Sequence, residues 1–168
     1  MKKTMTRLMV LAVVALLAST LAACKKEEAP KVEAKPPMSA PTTDDRQAWV
    51  DYLNDVVPRN MGGITNQPYV YFLPAEDTAD FQEQYNRLLI KAQTDVGRGI
   101  ITGNMLAYAS PASSQMADLV VASFDGVPAD SMKGVRVLFI GDPADNERVK
   151  AAVEPAGVNY VFIDTSKQ

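Results

Sequence analysis

Apolar and polar positions alternate along this chain in two rhythms, one near 3.6 residues and one of short unbroken apolar runs. Trp49, Leu53, Val56 and Val57 recur at helical spacing, with Tyr52 beside them. Thr42, Asp44 and Asp45 offer capping oxygens and negative charge at the start of that helix. Pro58 and the Met61-Gly62-Gly63 turn close it. Tyr69 to Leu73 is a short apolar strand ending at Pro74. Asp77 or Thr78 is the expected cap of a second helix, which faces inward through Phe81, Tyr85, Leu88, Leu89, Ala92 and Val96 and stops at Gly97 and Gly99. Met105 to Ala109 is the second strand. After Ser110-Pro111, a third helix turns Met116, Leu119, Val120 and Phe124 inward and breaks at Gly126 and Pro128. Val135 to Ile140 is the clearest strand. Asp142 then caps a helix with Pro143 at its first position. Val149, Ala152 and Val153 face inward, Gly157 ends the turn, and Val158 to Ile163 is the last strand.

The element order is α-βαβαβαβ. Strands alternating with helices predict right-handed crossovers. The expected fold is one three-layer α/β domain with a mainly parallel four-stranded sheet and helices on both faces. Near-continuous apolar strands fit a sheet buried on both sides.

The start of the chain has a different character. Lys2, Lys3 and Arg7 precede an uninterrupted apolar run from Leu8 to Leu17. Small residues then lead to Leu21-Ala22-Ala23-Cys24, and Lys25, Lys26, Glu27 and Glu28 follow at once. The run is too short for a spanning helix, which needs about 20 apolar residues. The order is that of a secretory signal peptide. Leu21-Ala-Ala-Cys24 resembles the lipobox of bacterial lipoproteins. The resemblance covers about the first 24 residues. It implies cleavage before Cys24 and a lipid-modified, acylated cysteine as the mature N-terminus. It also implies a periplasmic address. Lys25, rather than Asp, after the cysteine points to the outer membrane, with the inner membrane and cell surface as the other addresses.

Three segments follow: residues 1–23 as signal peptide, 24–43 as a lipidated, Pro- and charge-rich linker, and 44–168 as the α/β domain. The linker holds Pro30, Pro36, Pro37 and Pro41 among Lys, Glu and Ala, a composition that favours an extended spacer.

Charge narrows the partners. The chain has 17 basic and 20 acidic residues. Residues 1–23 contain three of the basic residues and no acid, leaving 14 against 20, or −6. From Asp44 onward the balance is 10 against 17, or −7. Such a domain is repelled by nucleic acid. With no histidine, His-based triads, His zinc sites and the usual neutral-pH proton shuttle are excluded. Assigning the single cysteine to the lipid leaves no thiol nucleophile. There is no GxGxxG and no GxxxxGK[ST]. Ser131-Met132-Lys133 places a Ser near a Lys, but ahead of a strand, whereas nucleophiles usually follow one.

In open α/β sheets ligands bind at the carboxyl ends of the strands. Those ends carry Asp77, Asp142, Asp145 and Asp164, with Glu76 beside the first. Converging carboxylates would hold Mg²⁺ or Ca²⁺ through oxygen. The competing explanation is helix capping, which accounts for Asp77, Ser113 and Asp142 without any ligand. The leading expectation is a membrane-anchored, non-catalytic binding or assembly module with an envelope protein partner and no cofactor. The alternative is a cation-dependent hydrolase or small-ligand binder that uses the four aspartates.

Overall fold

The computed structural model describes residues 36–167. Helix α1 (Arg46–Arg59) is followed by β1 (Tyr69–Phe72), α2 (Phe81–Gly97), β2 (Met105–Ala109), α3 (Ser113–Phe124), β3 (Arg136–Gly141), α4 (Pro143–Val153), a 3₁₀ turn (Glu154–Ala156) and β4 (Asn159–Asp164). The strands form one sheet in the order β1-β2-β3-β4, and every pair is parallel. A single α/β domain is what the alternating pattern predicts. Strands β3 and β4 each lie one residue later than expected, because Gly141 and Asp164 still pair with each other.

Because the strands lie side by side in chain order, every crossover steps the same way. A common right-handed sense puts α2, α3 and α4 on one face. Tyr71, Leu106, Tyr108, Val137 and Phe139 meet those helices there. The alternate side chains Met105, Ala107, Ala109, Leu138 and Ile140 point to the opposite face, where α1 brings Trp49, Tyr52, Leu53, Val56 and Val57. Helices do cover both faces, three on one side and one on the other.

Helix α1 docks through its aromatics. Trp49 is 2% exposed and lies 5.9 Å from both the Tyr52 and Phe72 rings, the first edge-on. Asp45 caps the helix by accepting from Gln47 N and Ala48 N at 2.7 and 3.2 Å. At the other end, Arg136 Nη1 donates to Asn60 O at 2.6 Å, a cation placed on the negative end of the helix dipole. Gly62, at φ +57, admits that guanidinium: a Cβ there would meet Arg136 Nη1 at 2.6 Å.

Residues 36–43, given to the linker by their composition, pack on the domain. Met38 and Ala40 join the α1 cluster. Met38 N donates to Asp55 Oδ2 at 3.0 Å, and Thr43 O accepts from Trp49 Nε1 at 2.9 Å. Residues 36–43 therefore form a strap along α1. Two apolar side chains among prolines suffice, because proline leaves the unfolded strap little backbone freedom to lose.

Candidate functional site

The carboxyl edge of the sheet has no reversal of strand order. In doubly wound sheets the ligand crevice opens where the order reverses, so this edge lacks that crevice. The four aspartates sit along it in separate settings.

Asp77 is exposed in the turn after β1. It is not a helix cap. Helix α2 begins at Phe81 with Asp80 at the capping position, and Asp80 Oδ1 accepts instead from Gln84 Nε2 at 2.8 Å. Asp142 is the cap expected of it, accepting from Ala144 N at 2.8 Å. Asp164 accepts from Ser166 N and Oγ at 2.9 and 2.6 Å and pairs with Lys167 at 3.3 Å. The Ser166 hydroxyl first, then Lys167, hold its carboxyl below the ordinary aspartate range. Among the described residues, no three acidic side chains gather into a group that could hold a metal ion.

Asp145 is the buried member, 7% exposed, and it anchors a dense polar cluster at this edge. Ser113 Oγ donates to Asp145 Oδ2 at 2.6 Å and accepts from Asp142 N at 2.8 Å. Ser113 is not an N-cap as predicted. It is the first residue inside α3, and Ser110 Oγ accepts from Ala112 N at 2.8 Å just before it. Gly141 permits the close approach, since a Cβ there would lie 2.6 Å from Ser113 Oγ. Arg148 grips Asp145 Oδ1 through Nε and Nη2 at 3.0 and 2.8 Å. The same guanidinium reaches Asp118 and donates to Ser114 O at 2.8 Å. Chemically this is a lock between α3 and α4. The Ser113 proton goes to a carboxylate already neutralised by Arg148, a poor arrangement for making an alkoxide. Sequence reading found Asp145 but missed Arg148 and Asp118. Their only signal was the three-residue spacing from Asp145 to Arg148; Asp118 lies on another helix.

A second cluster lies on the α2 side of β1. The Tyr71 and Tyr108 rings stack at 4.7 Å. Tyr71 Oη donates to Asp95 Oδ2 at 2.8 Å, and Lys91 Nζ reaches the same oxygen at 2.5 Å while lying 5.0 Å from the Tyr71 ring. Burial pushes both phenols far above the ordinary tyrosine range. Burial also works to raise Asp95, but hydrogen bonds from Lys91 and Tyr71 outweigh it and hold the carboxyl low. Tyr108 Oη is buried with no hydrogen-bond partner among the described residues.

Two surface grooves, of about 490 and 480 Å³, flank the C-terminal end of α3 and share Ala122, Asp125, Gly126 and Val127. They open at the end of the sheet opposite the four aspartates, because α3 runs back against the strands. Ser131, on the second groove, donates to Pro128 O at 2.7 Å, and Lys133 pairs with Asp130 at 3.3 Å, so the predicted Ser/Lys neighbours are spent on a turn. The lipobox residues, Cys24 included, lie outside the described residues. No helix among the described residues is long and apolar enough to cross a membrane. Comparison of the chain with family models, curated proteins and solved structures gives no match.

Proposed function

We propose that the chain is an envelope lipoprotein, anchored through Cys24, whose α/β domain is a non-catalytic binding or assembly module facing the periplasm, with the outer membrane as its address. The carrying observation is the ordered run from Lys2 through Leu8–Leu17 to Leu21-Ala-Ala-Cys24, followed at once by charge. The arrangement of polar groups supports the non-catalytic half. The cluster around Asp145 is consumed in joining two helices, and Asp142 and Asp164 are consumed in capping and turn bonds. A diacyl modification would supply the two-chain attachment that stable residence requires.

Mass spectrometry of the protein purified from bacterial membranes tests the anchor. The expected mature N-terminus is Cys24 carrying acyl chains, and Cys24→Ser should abolish labelling by a palmitate analogue and leave the precursor uncleaved. An unmodified Cys24, or a mature chain starting after it, overturns the reading. Capture from envelope solubilised in mild detergent tests the binding role, and failure to recover any stoichiometric envelope protein counts against it.

A further inference from the structure

The two edges of the sheet are unequal. Strand β1 is four residues long and bracketed by Pro68 and Pro74. Lys91 Nζ lies 6.0 and 5.0 Å from its Tyr69 and Tyr71 rings. Short length, proline and a nearby lysine are the devices by which an edge strand avoids pairing. Strand β4 is longer and holds no proline, and the lysine at its end, Lys167, pairs with Asp164 at 3.3 Å. It runs six residues, Asn159-Tyr-Val-Phe-Ile-Asp164, and its four central apolar residues are only half-buried.

The hydrogen-bond phase of β4 shows which groups face outward. Asn159 N donates to Val135 O at 2.8 Å and Thr165 N to Gly141 O at 3.1 Å. Odd-numbered residues of β4 therefore bond to β3, and the N–H and C=O of Tyr160, Phe162 and Asp164 point to the open side. The N–H and C=O of Tyr160 and Phe162 have no partner strand among the described residues, and a turn over residues 165–166 closes the end of β4 beside Asp164.

We infer that β4 is a self-association edge, where a second copy of this chain pairs antiparallel across a two-fold axis at Phe162 and joins two four-stranded sheets into one of eight strands. The register follows from the rungs. Only a two-fold at Phe162 uses all the outward groups, setting Tyr160 against Asp164 of the second copy and Phe162 against its own image, each rung exchanging two bonds. Val161 then faces Ile163 of the second copy as a non-hydrogen-bonded pair, with Cα atoms about 4.5 Å apart. Both side chains lie on the α1 face, where a single helix covers the sheet and leaves them half-buried. The pairing supplies the apolar neighbour that α1 does not.

Charge is compatible with a second copy. One end of β4 carries Asp164 with Lys167, and the other lies against Asp130 with Lys133 around Gly157. An antiparallel two-fold brings opposite ends together, and both ends carry charges of both signs. Tyr160 Oη donates to Asn146 at 3.0 Å, which turns Asn146 and Lys150 of α4, with Glu154 of the 3₁₀ turn, toward the β4 edge. These residues also carry both signs. The net charge from Asp44 onward is −7, which opposes association at long range and is screened by salt. The inference does not depend on lipid anchoring, although anchoring two copies in one membrane would raise their effective concentration.

Sedimentation velocity on unlipidated residues 24–168 carrying Cys24→Ser provides the test. A reversible dimer is expected at ~100 μM, as for a weak interface, tightening as salt rises from ~10 to ~150 mM. Val161→Lys should weaken it by about tenfold or more, whereas Val70→Lys on the exposed β1 edge should not change it. An equimolar mixture of Val161→Cys and Ile163→Cys variants should form a disulfide-linked dimer at least about tenfold faster than Val161→Cys alone, whose cysteines are offset in this register. If Val161→Lys fails to fold by circular dichroism, the cysteine pair decides. A monomer at every concentration overturns the inference. So does a dimer lost through Val70→Lys, cross-linking by Val161→Cys alone at the mixed rate, or an edge that captures only a different protein.

Discussion

Tyr71 and Tyr108 are stacked, fully buried and chemically alike, yet their hydroxyls have opposite energetic signs. Tyr71 Oη donates to the Asp95 carboxylate, and Tyr108 Oη has no partner among the described residues. A hydrogen bond to a charged group contributes about 1.5–3 kcal/mol, whereas a buried hydroxyl left unmatched is a cost. Tyr71→Phe should therefore lower stability by about 1.5–3 kcal/mol, and Tyr108→Phe should leave it unchanged or raise it by up to about 1 kcal/mol. Urea unfolding of both variants checks the difference in sign. The same carboxylate sets an acid limit. Asp95 has a depressed folded pKa, so its contribution is present above the unfolded value near 3.9 and is lost as pH falls through the lower folded value. Asp95→Asn should lower the melting temperature at pH 7 while flattening the wild-type fall in stability below about pH 4. Melting curves from pH 2 to pH 7, read by circular dichroism, would show an undiminished acid limb in the variant if Asp95 plays no such part.

Among the elements, the strap of residues 36–43 is where composition misled most. Pro36, Pro37 and Pro41 read as spacer, and Met38 and Ala40 are too few to register as an element. What decides their placement lies elsewhere: Asp55 accepting from Met38 N, and a tryptophan whose indole N–H needs a partner. A chain beginning at Asp44 loses that burial and those bonds, about 2 kcal/mol together. It should melt on the order of 5 °C below a chain beginning at Pro36. Calorimetry of the two lengths checks the contribution of the strap. The helices and strands were otherwise legible, because the inward faces of α2, α3 and α4 repeat at helical spacing and the strands are unbroken apolar runs. Helix starts were less so. Asp77 was as good a cap by type as Asp80, and only the three-dimensional path of the turn excludes it.

At the scale of the molecule, parallel pairing and burial on both faces followed from the βα alternation, but strand order did not. Order depends on which way each crossover steps, and no local pattern records that. Among the described residues the aspartates are not gathered into one group, for this reason. Asp77, Asp142 and Asp164 lie at the carboxyl ends of different strands, β1, β3 and β4, without a reversal to gather them. The Arg148 lock was illegible because Asp118 and Asp145 meet only once α3 and α4 are packed. The same simple order has a consequence for synthesis. Each strand pairs with the one made just before it, so a chain emerging from its N-terminus can extend the sheet outward and never has to hold open a gap for a strand still to come. Interruption near the end is then the hazardous moment. A chain stopped at Gly157 presents β3, with Val137 to Ile140 fully buried in the native sheet, as a raw apolar edge. Light scattering of that fragment should show aggregation under conditions where the full chain stays clear.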